Sequence, residues 1–438
     1  MSLKKRLSPL FLVILLGILI RLSIMFVDFS FDVLNHISWA KDFWNTGFHA
    51  FYETRSTDVY GTAYPNYPPF AIFLFAPFYP LYKWLFDLVW YLNTSFPAFP
   101  SFVVTFMERL HFLAGMMKIP AILSDFGLAW VLAKIAANLY PKKKNVQLIV
   151  GAAILLHPTF FYNSAFFGQI DSIPLFLMAL AVYLSFFMKK PYWSALVVTA
   201  AILVKPTVFI FLPVYLISFF SAFGMRTTVK AMGVAILFFW LAFQPMAQKQ
   251  GNFLYPFILY EKGILETQSI SAVTNAAYNT WALYPPLFFV QANTSIIGDI
   301  TYRTVGTVVA GFTILAITFL YWKKRSWNQS LFFALSLSAF ASFLFLTKMH
   351  ERYMILILPF LLIPALRYRS IMYSWVILSV ISFLNLYKSW SVPKIDPIVK
   401  ALSADLIVIV ISAINILLFV YVFRYFVSHN KKIPAKKI

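Results

Sequence analysis

A few ionisable and amide side chains stand out in an otherwise apolar chain. Asp28 and Asp32 lie four residues apart, with His36 one helical turn beyond Asp32. A carboxylate so placed can take a proton from an attacking hydroxyl. Tyr67 stands in Asn66-Tyr67-Pro68-Pro69, Gln169 and Asp171 in Gly168-Gln169-Ile170-Asp171, and Lys205 directly before Pro206. His350, Glu351 and Arg352 follow one another between Lys348-Met349 and Tyr353. Charged groups among apolar segments persist where they pair or line a wet cavity, so their convergence on one side of a membrane points to one site. Asp32 is the candidate base, and the others are candidate substrate ligands.

The elements that must position these residues are membrane helices. The chain has 438 residues, 61% hydrophobic and 12% charged. Apolar runs of about 17 to 25 residues recur, the length a helix needs to cross a bilayer. The fold class is therefore an all-α polytopic membrane protein, read as a single transmembrane domain over 1–438. The first apolar run lacks a small-residue cleavage site and reads as a retained anchor. There is no cysteine, which excludes disulfides and thiolate metal sites. The net charge of +21 would suggest nucleic acid in a soluble protein, but here it has a topological origin.

The basic residues cluster in short loops: Lys4 to Arg6, Lys142 to Lys144, Lys189 and Lys190, Arg226 and Lys230, Lys323 to Arg325, Arg367 and Arg369, and Lys431 to Lys437. The positive-inside rule places these loops in the cytoplasm. Spans near 7–27, 110–139, 146–166, 170–188, 192–204, 206–223, 229–247, 303–322, 328–346, 354–366, 370–387 and 401–427 then alternate consistently. They give about twelve crossings with both termini cytoplasmic.

Residues 28–109 form the first extracytoplasmic loop. Within it, Val33, Ile37, Ala40 and Trp44 share one helical face, with Asn35, Ser38, Lys41, Asp42 and Asn45 off it. That pattern predicts an amphipathic helix lying on the membrane surface and closed by Gly47. Pro68 to Tyr91 is long enough to span, but the parity of the basic loops and Pro68, Pro69, Pro77 and Pro80 argue for an interfacial or re-entrant segment. Segments 192–204 and 206–223 read as a broken helix pair meeting at Lys205. A second long outer loop covers 248–302.

Taken in order, these motifs resemble the GT-C membrane glycosyltransferases. They are closest to the bacterial and archaeal relatives of the mannosyltransferases of GPI-anchor assembly, and more distantly similar to the ER glucosyltransferases that use dolichyl-phosphate-glucose. The resemblance rests on Asp32, Trp39 and Gly47, then Tyr67-Pro68-Pro69, Gly168-Gln169-Ile170-Asp171, Lys205-Pro206 and His350-Glu351-Arg352-Tyr353. It implies transfer of a hexose, mannose or glucose, from a polyprenyl-phosphate donor to a glycan or lipid-linked acceptor on the extracytoplasmic face, with inversion. Asp32 takes the place of the family's first-loop aspartate, and Asp28, His36, Tyr67, Gln169, Asp171, Lys205, His350, Glu351 and Arg352 become substrate ligands. The resemblance implies no cofactor, and the setting is a plasma membrane, or the ER membrane in a eukaryote. At a helix start Asp32 is a weak base, so late proton transfer is expected, with Asp32 chiefly orienting the hydroxyl. Lys205, His350 and Arg352 are the candidates to receive the departing phosphate. Asn66 stands where the family often has aspartate, which removes an acidic role there.

The same residues have plainer readings. Asp32 can cap its helix, Asp28 can be a solvated loop residue, His36 a polar residue of the helix surface, and Asp171 a helix cap. Lys205 can be a snorkelling lysine, His350 to Tyr353 an interface anchor, and Lys118 and Asp125 a structural pair within one span. The rival function is a transporter or flippase for a lipid-linked or polar substrate, which would place its polar groups near the midplane. The four-residue spacing of Asp28 and Asp32 gives no tight acidic pair, so metal-independent chemistry is expected.

Overall fold

The computed structural model describes residues 8–248, 251–267, 271–324 and 329–429. The basic groups at Lys4 to Arg6, at Arg325 and at Lys431 to Lys437 lie outside those residues. Each predicted span contains helix, in places broken, as between Leu155 and Pro158 and between Ser403 and Asp405. Six helices are long and apolar enough to cross a membrane, or seven if Val146–Leu155 and Pro158–Phe167, bent by 45°, count as one. Four more apolar helices are shorter: Pro9–Ile24, Ser172–Phe186, Pro191–Val204 and Gln329–Phe345. Large apolar side chains stand exposed on the long helices, among them Phe312, Leu315, Leu406 and Leu417. Only lipid makes such surfaces inexpensive, so the chain is a helical membrane protein.

The chain forms two compact units. The first comprises Met1–Ala133, Asn145–Thr207 and Val229–Ser269. At its centre is the helix Phe31–Thr46, closed by Gly47 at a positive φ (79°) that favours glycine, as the sequence predicts. Its apolar face meets other protein segments. Val33, Ile37 and Ala40 pack against Ala71, Phe75, Leu113, Met117, Ile170 and Val204, while Trp39 packs against Ile72, Leu203, Phe243 and Tyr260. Of the off-face residues Asn35 and Ser38 are buried too, because the following chain folds back over them, whereas Asn45 is exposed. Asn35 Nδ2 donates to Tyr60 O at 2.9 Å, and Asn35 Oδ1 accepts from Tyr60 N at 2.7 Å. Ser38 donates to Thr57 O, and Asp42 accepts from Thr57 N and Oγ1 at 3.2 and 2.8 Å. Polar residues chosen for water in the sequence reading thus satisfy a loop backbone instead. Trp44, predicted on the apolar face, is 53% exposed, and its Nε1 donates to Ala76 O at 2.5 Å.

The expected interfacial segment is two helices, Pro69–Phe75 and Phe78–Ser95. Its prolines begin helices rather than interrupt them: Pro69 opens the first, and Pro77 and Pro80 fall at the start of the second, where a missing N–H costs nothing. Pro69–Ser95 accordingly counts among the six long apolar stretches, and its second helix buries no residue. The break at Lys205 is as predicted. Pro191–Val204 ends because Pro206 cannot continue it, and Lys205 is extended (φ −158°, ψ 136°).

The second unit comprises Lys134–Lys144, Val208–Thr228 and Ile270–Ile438. The long loop predicted at 248–302 is therefore divided between the units. Gln329–Phe345 is buried on all sides, and Gly306 lets the helix Tyr302–Lys324 approach it so closely that a Cβ there would lie 2.6 Å from Phe345 O. Thr274–Asn275 pairs in parallel with Met349–His350, which draws the outer loop onto the His350 motif. Asn385 and Asn415 hold the same loop by donating to Ala276 O and Tyr278 O at 2.7 and 2.8 Å.

Candidate active site

In the first unit two turns meet. One leaves the helix Pro9–Ile24 and carries Asp28 and Ser30 to Asp32 in the first turn of Phe31–Thr46. The other follows the π-helix Tyr162–Phe167 and carries Gly168, Gln169 and Asp171 before the helix Ser172–Phe186. Their backbones join where Ser30 N donates to Phe167 O at 3.0 Å. Gly168 adopts φ 79°, and a Cβ there would lie 2.4 Å from Val33 Cγ2, so both the turn and the close approach require glycine. That approach lets Gln169 Nε2 reach Asp32 Oδ2 at 2.7 Å and Ser30 Oγ at 3.1 Å. Gln169 is buried and Asp32 is partly exposed, so a rigid neutral amide holds one oxygen of an accessible carboxylate.

Asp171 Oδ1 pairs with Lys205 Nζ at 2.5 Å, and both side chains are buried. The extended backbone before Pro206 delivers Lys205 to this partner, which rules out the snorkelling reading. His36 is 1% exposed rather than on a helix surface, stacked on Phe75 at 4.0 Å and edge-on to Tyr67 at 5.4 Å. Burial pushes its pKa down to about 3, against the pull of Asp32 and with the help of Lys205. The imidazole is therefore neutral, and it lies within the electrostatic reach of both charges. Asp32, His36, Tyr67, Gln169, Asp171 and Lys205 are thus brought together. Asp28 is engaged in its own turn, where Oδ1 accepts from Phe29 N at 2.8 Å.

A cavity of about 720 Å³ opens in the same unit between residues 52–65 and the segment containing Leu259, Gly263 and Thr267. Tyr52 lines it and donates to Tyr67 O at 2.8 Å, and Glu53 on its rim accepts from Tyr255 OH. Asn66 donates to Thr267 O at 3.2 Å, a structural role in place of an acidic one.

His350, Glu351 and Arg352 form a cluster of their own in the second unit. Asn275 Nδ2 and Arg352 Nη1 both approach His350 Nδ1, at 3.1 and 3.0 Å. The imidazole of His350 is thereby held between Asn275 and Arg352. Arg352 Nη1 also donates to Glu351 Oε1 at 3.2 Å. Burial pushes the Glu351 carboxyl up, but His350 and Arg352 beside it more than offset this, leaving it below its ordinary value. These three side chains are built into a network with Asn275, which argues against a bare interface anchor.

One buried cation, Arg21, goes unnoticed in the sequence, and another, Lys118, is given the wrong partner there. Lys118 and Asp125 do not pair with each other. Asp125 Oδ2 accepts from Arg21 Nε and Nη2 at 3.0 and 2.8 Å and from Ser164 at 2.6 Å, while Oδ1 accepts from Ser172. Arg21 completes its set on Gly17 O and Leu155 O, and Lys118 turns to backbone carbonyls. Residues seven apart are two turns apart along a helix, too far for a short contact, whereas an arginine in the neighbouring span was the signal to follow. Among the described residues no group of three or more His, Cys, Asp or Glu is placed to hold a metal ion. The chain matches no protein-family model, and no curated protein matches it significantly.

Proposed function

We propose that the protein is a membrane glycosyltransferase that moves a hexose from a polyprenyl-phosphate donor to a hydroxyl acceptor on the extracytoplasmic face. The observation that carries this reading is the partly exposed Asp32 carboxylate, held by Gln169 at 2.7 Å beside the Asp171–Lys205 pair and a neutral imidazole. The acceptor oxygen attacks the anomeric carbon, and the carbon–oxygen bond to phosphate breaks with its electron pair leaving on the polyprenyl phosphate. The hydroxyl proton passes to Asp32, and the configuration inverts. Gln169 fixes which carboxylate oxygen faces the acceptor, and preorganisation of this kind lowers the barrier without touching the sugar. The cavity beside Tyr52 is large enough for a sugar unit and carries one charged side chain, Glu53, so it suits a neutral glycan better than a phosphate.

The Arg21–Asp125 network is the feature a transporter would use. Its charges are saturated by one another, by two serines and by backbone carbonyls, so it behaves as a structural lock. Purified protein supplied with polyprenyl-phosphate-mannose or polyprenyl-phosphate-glucose and a panel of lipid-linked acceptors tests the proposal. Transfer is expected with one donor and should persist in excess chelator. Unchanged turnover in Asp32→Asn overturns the assignment of the base, and a loss in chelator that manganese restores overturns metal-independence.

A further inference from the structure

Lys118 lies 1% exposed at the joint between the helices Leu110–Met117 and Ile119–Leu139, inside an apolar stretch where an ammonium must find partners. Its Nζ donates to four backbone carbonyls: Met25 at 2.8 Å, Phe166 at 3.0 Å, Ala165 at 3.1 Å, and Asp28 closer still. An ammonium has three N–H bonds, so one is shared; a neutral amine would offer only two. The carbonyls belong to two chain ends. Met25 and Asp28 lie just past the end of Pro9–Ile24, and Ala165 and Phe166 close the π-helix, where the last carbonyls lack intrahelical partners and carry the negative end of the backbone dipoles. Phe167 O, the next in line, is taken by Ser30 N. Two negative poles that would repel are thus drawn onto one positive charge.

We propose that Lys118 is a tethered cation filling a monovalent-cation cage, and that filling the cage sets Asp32 against Gln169. Both chain ends run straight into the candidate active site: Asp28 O is four residues from Asp32, and Phe166 O is three from Gln169. Carbonyl oxygens arranged around a point are the ligands that take potassium, an ion close in size to ammonium. Removing the side chain should therefore leave a site that free potassium or ammonium can occupy. Gly168 belongs to the same device, because a Cβ there would press on Lys118 Cε at 3.1 Å as well as on Val33.

The activity half of this inference rests on the glycosyltransferase reading, whereas the cage does not, and two readouts separate them. Purified Lys118→Ala is compared with wild type in ammonium, potassium and N-methyl-D-glucamine chlorides, following thermal unfolding and sugar transfer. The expected result is a lowered Tm in the bulky cation, recovered in ammonium or potassium, with wild type indifferent to the salt. Transfer should fall at least about tenfold through kcat with donor KM little changed, and return with the small cation, since positioning rather than donor binding is lost. Lys118→Met, which keeps the packing of the stem and fills the cage without charge, should lose transfer and gain nothing from ammonium. A Tm for Lys118→Ala that ignores the cation, or wild-type transfer in Lys118→Met, overturns the proposal. A cation-dependent Tm in a protein that transfers no sugar with any donor supports the cage and sinks the enzyme reading alone.

Discussion

Two aspartates of the first unit show how the same group serves different ends. Asp125 is fully buried, and its oxygens are taken up by Arg21, Ser164 and Ser172. Asp32 is partly exposed, and its Oδ2 accepts from the Gln169 amide at 2.7 Å. A charge buried in a closed set of partners contributes to holding helices in place but has nothing to offer a substrate. A partly exposed carboxylate aimed by a buried amide has a defined direction and a face turned to solvent. The difference lies in the partners, since the residue type is identical.

The largest expected effect separates the two by activity. Asp32→Asn keeps the shape and a hydrogen-bonding oxygen but loses the base, so transfer should fall by about 10² to 10⁴-fold with Tm almost unchanged. Asp125→Asn should do the opposite. It leaves the Arg21 guanidinium without a counter-charge among buried groups, a change that costs about 3–5 kcal/mol in comparable sites. A large drop in Tm is expected, with turnover per folded molecule near wild type, read by activity normalised to the folded fraction. A third change sharpens the contrast on the Asp32 side. Gln169→Leu removes the amide that aims the carboxylate, and loss of one hydrogen bond to a charged group is worth about 1.5–3 kcal/mol. Transfer should fall roughly 10- to 100-fold through kcat, and an unchanged kcat would show that the Gln169 contact does not aim the base.

Much of this arrangement was legible in the sequence. Apolar run lengths located the helices, Gly47 ended the helix after Asp32, and Pro206 marked the break that presents Lys205. Gln169 and Asp171 stood out as polar residues between apolar segments, and the structure does bring them to Asp32 and Lys205. The remainder depends on contacts that leave no mark in sequence. Lys118 binds carbonyls, which every residue possesses, so nothing in its neighbours identifies its partners. Arg21 finds Asp125 across 104 residues. The polar face of Phe31–Thr46 looked solvated because most of its partners, at Thr57 and Tyr60, are again backbone groups. The prolines near Pro77 read as interruptions because their positions relative to helix starts cannot be known before the helices are seen.

The smallest effect expected under mild conditions concerns His36, and it tests whether the Asp32 side carries its own acid sensitivity. The imidazole is pushed down to about 3 in the folded protein by burial, against 6.5 when unburied. As pH falls below about 6.5 the unfolded chain takes up a proton that the folded site refuses, so stability is fully present above 6.5 and is lost towards pH 3. The slope approaches about 1.4 kcal/mol per pH unit, a tenfold change in the folding equilibrium. Between pH 7 and pH 5.5 the expected loss is therefore about 1 kcal/mol, small beside the effect at Asp125. Thermal unfolding in detergent across that range reads it directly. His36→Gln should flatten the acid limb while Asp125→Asn leaves it in place, because an amide at position 36 has no proton to gain. If the limb survives in His36→Gln, another group carries it, and the neutral imidazole beside Asp32 is not what limits stability in acid.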